Sequence, residues 1–199
     1  MLEAIDHGRI AGLFVMGEDL VQTDPDSNRV RERLARLEFL VVQEIFPSAT
    51  TELAHVVLPG ASAFEKDGTF TNGERRVQRV RRALEPLAGC RTDHAVLLDL
   101  MRRSGMAAGS PGPREGFGEI CAEWPALAGA SWDALEAEGL QWPVRAGLQE
   151  AVGEGSTVGT PVLHRESFPL PPDGRAVFAC VPFVPSPEAA AGPLVLVTG

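Results

Sequence analysis

Lysine is nearly missing from this chain: of 18 basic residues, Lys66 alone is a lysine and the rest are arginines. Cysteine is scarce too. Cys90, Cys121 and Cys180 are odd in number, far apart, and no pair has metal-ligand spacing, which argues against a disulfide scaffold and a zinc site. Free thiols in a reducing compartment are the simplest expectation. No apolar run approaches the roughly 20 residues that span a bilayer. The start, Met1-Leu2-Glu3-Ala4-Ile5-Asp6, lacks the basic opening and apolar core of a signal peptide. A cytoplasmic protein with no membrane span is expected. G-x-S-x-G, the P-loop and H-E-x-x-H are all missing, and His7, His94 and His164 have no Cys, Asp or His at catalytic spacing. No catalytic residue and no metal ligand is therefore assigned. A net charge of −9 lacks the basic face that general binding of nucleic acid needs.

What the 199 residues do contain is 44% hydrophobic and 23% charged, enough for one domain or slightly more with a real core. Residues 4–9 read as the tail of a helix. Ile10 to Met16 is an apolar run ending at Gly17, the pattern of a strand buried on both faces of a parallel sheet. Asp24-Pro25 offers an N-cap and a proline for the first helical position, and Val30, Leu34 and Leu37 give an apolar stripe over 25–36. Phe39 to Val42 is a second buried strand. Thr50 or Thr51 caps a short helix through Ala54, and Val56 to Leu58 is a third strand stopped by Pro59-Gly60. This is a βαβαβ unit, whose right-handed crossovers make the strands parallel. Their carboxyl ends, Gly17-Glu18-Asp19, Gln43-Glu44 and Pro59-Gly60, then share one edge, where open α/β sheets bind ligands.

Further on, Thr92 or Asp93 opens a helix with Val96, Leu97, Leu100 and Met101 as its apolar face, and Gly105 ends it. Phe117, Ile120, Cys121 and Trp124 mark a second short helix. Ser131 caps a third that carries Trp132 and Leu135 and ends at Gly139. Gly153 to Gly174 is rich in glycine and proline without periodicity, and reads as an extended linker. Val177 to Val184 and Leu194 to Val197 read as strands.

The chemistry concentrates in Glu65-Lys66-Asp67-Gly68-Thr69-Phe70-Thr71-Asn72-Gly73-Glu74-Arg75-Arg76-Val77-Gln78. Asn72-Gly73 is a strong hairpin signal. Five arginines fall between Arg75 and Arg82, and residues 66 to 82 carry six bases against two acids, a local +4. That implies either an anionic partner or a dense internal ion-pair network. Lys66 offers three donors suited to a phosphate, or else pairs with Glu65 or Asp67 at the surface. Asn72, Glu74, Arg75 and Arg76 are read as organising the loop through Arg–carboxylate pairs. On local evidence Asp93 reads as a plain helix N-cap.

This stretch resembles the E-K-x-G-T-F-T-N-x-E-R-R-V-Q signature of molybdopterin-dependent oxidoreductases, and more narrowly of formate dehydrogenase catalytic subunits. Three further segments fall in the same order: Leu13 to Asp19 (LFVMGED), Glu38 to Phe46 (EFLVVQEIF) and Ala54 to Pro59 (AHVVLP). Glu44 and His55 each stand where the family pattern has Asp, and Asp19 where many relatives have Asn. The resemblance implies a three-layer, parallel-sheet, Rossmann-like part of the molybdopterin oxidoreductase fold, followed by short helices and an extended Gly/Pro-rich tail. It places a partial dinucleotide-binding α/β domain at 1–150, a linker at 151–176, and the start of a C-terminal barrel at 177–199. Gly17, Glu18, Asp19, Gln43, Glu44, Lys66 and Asp93 are its implied cofactor-binding residues.

The implied cofactor is bis-molybdopterin guanine dinucleotide with Mo or W, held by a full-length enzyme. Its metal-ligating Cys or selenocysteine and an iron–sulfur cluster belong to sequence upstream of the matched region. The expected partners are the remainder of the catalytic subunit and its electron-transfer subunits. This chain alone is expected to be inactive, because cofactor enzymes draw their redox chemistry from the cofactor. Two relatives share the implied fold: a non-catalytic scaffold of the NADH dehydrogenase large-subunit type, against which the E-R-R-V-Q ending argues, and nitrate reductase, which shares much of the motif. An anion- or nucleic-acid-binding module built on Arg75 to Arg82 is a rival from a different class.

Overall fold

In a computed structural model, the described residues are 1–107, 109, 111–136, 139–146, 159–165, 168 and 173–185. The chain divides into two compact units, Met1–Pro161 and Val162–Gly199.

The first unit begins with a short helix α1 (Leu2–Asp6), strand β1 (Gly12–Met16), a helical turn α2 (Leu20–Thr23) and helix α3 (Ser27–Leu34). Strand β2 (Phe39–Glu44), a 3-10 turn at Thr51–Leu53 and strand β3 (Val56–Pro59) follow. The three strands form one parallel sheet in the order β1-β2-β3, with Met16, Gln43 and Leu58 in line. The α/β reading with a parallel sheet therefore holds.

Burial is less symmetric than expected. Val15, Leu40 and Val42 point to one face, where they pack with Ile5, Leu20, Val21, Val30, Leu34 and Leu37 from the helical side. Burying such side chains is worth about 1.5–3 kcal/mol each. β3 is not a buried strand: Val56 and Val57 are exposed, the latter at 48%. A strand at the edge of a sheet meets a neighbour on one side only, so apolar composition does not guarantee cover.

The helix start also moves. Asp26, not Asp24, caps α3: it sits in the left-handed region at φ 62° and accepts a 3.3 Å bond from the Arg29 amide. A cap must stand three residues before the amide it satisfies, and Asp26 has that spacing to Arg29.

Strands β4 (Gly68–Thr71), β5 (Arg76–Val80) and β6 (Leu140–Gln141) make a second, antiparallel sheet. The expected hairpin exists, but Asn72 and Gly73 are not its left-handed residues. Arg75 is, at φ 66°. The Asn72 side chain explains the shift, since its oxygen accepts from the amides of both Glu74 (2.9 Å) and Arg76 (3.0 Å) and winds the loop around itself. Helices α4 (Asp93–Arg103) and α5 (Pro113–Glu123) follow, then 3-10 turns at Pro125–Leu127 and Asp133–Glu136. A second core gathers Val77, Phe117, Leu127, Leu135, Leu140 and Val144. On α4 the buried residues are Val96 and Leu98, whereas Leu97 and Leu100 are exposed. β6 carries too few residues to show periodicity and had no sequence signal.

In the second unit, residues 177–184 form no strand, and Phe178 is 96% exposed. Strand structure requires a partner for its amides and carbonyls, and β-branched composition alone supplies none. Phe168 stacks on His164 with ring centroids 4.8 Å apart. The strand expected at Leu194 to Val197 lies outside the described residues, as does most of the linker.

Candidate functional site at the carboxyl edge of the parallel sheet

The carboxyl ends of the three parallel strands meet at one edge. There the Gly17 amide donates to the Gln43 carbonyl at 2.8 Å, and the Gly60 amide to the Glu44 carbonyl at 3.0 Å. Gly17 has φ 66°, and an added Cβ would meet nothing within 4 Å. The turn thus keeps open space above the sheet at a backbone shape that suits glycine.

Asp93 reaches this edge through a backbone splice. The Arg91 amide donates to the Pro59 carbonyl, and the Ala61 amide to the Arg91 carbonyl, each at 3.0 Å. This parallel bridge continues the line of β3. Thr92 then caps α4 by accepting from the Ala95 amide at 3.3 Å, so Asp93 becomes the first helical residue.

Lys66 arrives from the other side. A capping box holds the turn before it: Ser62 and Glu65 satisfy each other's backbone amides, and the buried Glu65 carboxylate also accepts from the Leu87 amide at 2.9 Å. The Ser62 amide is the main cause of a Glu65 carboxyl held below its usual range. The Ser62-Ala63-Phe64-Glu65 run is the sequence signature of that capping box.

Two groups converge on the Asp93 carboxylate. Lys66 Nζ lies 2.6 Å from Asp93 Oδ2, and Gln43 Nε2 donates to Asp93 Oδ1 at 3.0 Å. Gln43 is 1% exposed, and its Oε1 has no hydrogen-bond partner among the described residues. A buried amide oxygen without a donor costs about 1–3 kcal/mol.

The remaining sequence-assigned residues are engaged otherwise. Asp19 accepts from the Thr50 hydroxyl (2.6 Å) and from the amides of Thr50 (3.1 Å) and Ala49 (3.3 Å). Its carboxylate ties the Gly17 turn to the loop after β2. The Thr50 hydroxyl is the leading cause of an Asp19 carboxyl held below its usual range. Glu18 accepts from the Thr23 hydroxyl at 3.1 Å, and Glu44 from the Ile45 amide at 2.7 Å, each leaving its second oxygen outside that bond. Thr50 and Arg91 are the site-building residues that sequence reasoning missed, because their role depends on partners far away along the chain.

The arginine run builds the second sheet's supports. Arg75 donates to the carbonyls of Trp142, Thr160 and Pro161. Arg79 pairs with Asp67 and Glu136 and lies over the Trp132 ring, and Arg81 also pairs with Glu136. Arg82 pairs with Glu85. Arg79, Arg81 and Arg82 thus form the internal ion-pair network, one of two alternatives left open by charge counting, whereas Arg75 is held by carbonyls and not by the expected carboxylate. Among the described residues, no helix is long and apolar enough to cross a membrane.

A parallel sheet whose carboxyl edge carries a glycine turn, a buried amide and a Lys–Asp pair defines an α/β ligand-binding domain. Comparison with known proteins makes the class specific. Residues 1–103 match the molybdopterin oxidoreductase family model, and the chain belongs to that family. It is 39% identical over 193 residues to the F420-dependent formate dehydrogenase 2 subunit alpha of Methanococcus maripaludis, covering 94% of this chain and 27% of that protein. It is 37% identical over 180 residues to the putative formate dehydrogenase YrhE of Bacillus subtilis, covering 90% of this chain and 17% of that protein. The chain therefore spans about a quarter or less of these relatives. Among solved structures, acetylene hydratase from Pelobacter acetylenicus aligns over 80% of this chain and 22% of its own, with a TM-score of 0.55 at 15% identity, a likeness of fold.

The family's cofactor class is molybdopterin, and the residues present fit such a group. The orphaned Gln43 Oε1, the open space above Gly17 and the Lys66 ammonium supply an acceptor, a close backbone approach and a cation.

Proposed function

We propose that this chain forms part of the dinucleotide-binding surface of a formate dehydrogenase-like oxidoreductase, and that its sheet edge holds one guanine dinucleotide arm of the pterin cofactor. The observation that carries the proposal is the buried, unpaired Gln43 Oε1 beside the Lys66–Asp93 pair. The names of the similar proteins support formate as the substrate of the whole enzyme. When bound, the molybdenum–pterin group supplies the two-electron chemistry by which formate loses two electrons and a proton to become carbon dioxide.

The chain's own residues bind and orient. The Gly17 turn lets backbone approach the ligand closely. Lys66 offers an ammonium to a phosphate or pterin oxygen while Asp93 fixes its position. Gln43 and Glu44 address a base edge or a ribose hydroxyl. The rest of the assembly would supply the iron–sulfur cluster and the electron-transfer subunits that accept the electrons.

Calorimetric titration of the purified chain with GDP and with ADP tests this reading. Saturable binding of GDP that weakens about tenfold or more in Lys66→Ala is expected. Equal, weak heats with both nucleotides and no effect of the substitution overturn it.

A further inference from the structure

The chain has two asparagines, Asn28 and Asn72, and of these only Asn72 precedes a glycine. Asparagine is a thermolabile residue, and a following glycine places no Cβ beside the backbone nitrogen that can attack it. Asn72 and Gly73 are both exposed, and a Cβ at Gly73 would meet nothing within 4 Å. The hairpin's backbone bonds run from the Asn72 amide to the Arg76 carbonyl and from the Arg75 amide to the Asn72 carbonyl, each at 3.0 Å, and pass over the Gly73 amide. The Asn72 side-chain oxygen accepts from the amides of Glu74 and Arg76 at 2.9 and 3.0 Å. Two donors on one carbonyl oxygen draw electrons from Cγ and make it a better electrophile. Asn28 is placed differently: it lies in α3, and the amide that follows it, that of Arg29, already donates to Asp26 Oδ1 at 3.3 Å.

We propose that Asn72 is a site of spontaneous deamidation in the folded chain, and that its isoaspartyl product releases the Arg75 anchor. The Gly73 nitrogen gives its proton to solvent and attacks Asn72 Cγ. A C–N bond closes a five-membered imide, the Cγ–Nδ2 bond breaks, and Nδ2 takes up a proton and leaves as ammonia. Water then opens the ring. Opening at Cγ returns an ordinary peptide with an aspartate side chain. Opening at the backbone carbonyl leaves the chain running through Cγ, one methylene longer. In sum, water enters and ammonia leaves, and nothing is oxidised or reduced.

The two products have different structural consequences. The aspartate form keeps an oxygen where the amides of Glu74 and Arg76 need an acceptor, so the loop persists. The isoaspartyl form puts main chain in that place and lengthens the turn, so both bonds are lost. Those bonds support Arg75 in the left-handed region at φ 66°, an uncommon conformation for a residue with a Cβ. From there its guanidinium reaches the carbonyls of Trp142, Thr160 and Pro161, and its own carbonyl accepts from the Trp142 amide at 3.0 Å. A longer turn unpins Trp142 and residues 160–161 together.

The test keeps the full chain folded in warm, mildly alkaline buffer and follows it by peptide mass mapping. Exchange of NH2 for OH is expected at Asn72, about tenfold or more faster than at Asn28, and Gly73→Val is expected to slow it by a similar factor. The Asn28 comparison is made within one molecule and does not depend on how the variant folds. Asp67-Gly68 and Asp173-Gly174 can pass through the same kind of ring but gain no mass. In the isolated isoaspartyl fraction, the amides of Trp142 and Thr160 are expected to exchange hydrogen about tenfold faster than in the original chain, whereas Asn72→Asp exchanges like the original. No conversion of Asn72 in the folded chain, or equal rates at Asn28 and Asn72, overturns the proposed site. An isoaspartyl fraction with the original exchange pattern overturns the release of Arg75.

Discussion

The Asp19 carboxylate accepts a 2.6 Å hydrogen bond from the hydroxyl of Thr50, a fully buried residue 31 positions further along the chain. The same hydroxyl accepts from the Val21 amide at 3.1 Å. One buried oxygen thus joins the turn after β1, the start of α2 and the loop after β2. The family resemblance marked Asp19 as a cofactor contact; in the fold its carboxylate is a strut for the turn that frames the site.

Removing that strut should be costly and should change the response to acid. Asp19→Ala deletes three accepted bonds and strands the Thr50 hydroxyl, for a loss of about 2–3 kcal/mol in urea unfolding. The carboxyl is held below the usual carboxylate range, with the Thr50 hydroxyl as the leading cause. A lowered carboxyl means the charged form is favoured by the fold. Its stabilisation is fully present above the ordinary carboxylate range and is lost as pH falls through the lowered folded value. Unfolding midpoints measured from pH 6 down to pH 3 should fall less steeply for Asp19→Asn than for the original chain. They should not become flat, because Asp6, Glu65, Asp99 and Glu136 are shifted in the same direction.

Arg79 braces the second core by shape as well as charge. Its guanidinium carbon lies 3.8 Å from the centre of the Trp132 ring, with Asp67 and Glu136 as ion partners. Lysine keeps the charge but lacks the flat face that stacks on indole. Arg79→Lys should therefore destabilise by about 1–2 kcal/mol, and Arg79→Ala by more. Urea unfolding followed by tryptophan emission reads both. Equal stability of the lysine variant would show that charge alone matters.

Two glycines make a paired test of the hairpin and its cover. Gly139 has φ 73°, and a Cβ there would stand 2.6 Å from the Val77 carbonyl oxygen. Gly73 lies outside the left-handed region, and a Cβ there would meet nothing within 4 Å. Gly139→Ala should lower stability by about 2 kcal/mol or more, whereas Gly73→Ala should stay within about 0.5 kcal/mol. Thermal unfolding of the two variants side by side checks the contrast. A large effect at Gly73 would mean that the turn takes the primed form suggested by Asn72-Gly73.

Much of this was legible in the chain. Alternating and continuous apolar runs at Leu13 to Met16 and Leu40 to Val42 set the parallel strands, because burial of period-two side chains is a local property of sequence. The placement of Gln43, Lys66 and Asp93 was approached through motif order, and Thr92 was a recognisable cap. Not legible was the splice at Pro59, Arg91 and Ala61 that carries Asp93 to Gln43, since its bonds are between backbone groups that look alike in every residue.

By itself, the sequence determined the three parallel strands, the family, and the single lysine. Each depends on composition or spacing within a few residues. Tertiary structure alone decided that Asp19 would be spent on Thr50, that the arginines would be spent on carboxylates and carbonyls of the second sheet, and that Gln43 would keep one oxygen free. The physical reason is that hydrogen-bond capacity is allotted among partners brought together by folding, and a residue's type states how many bonds it can make but not with whom.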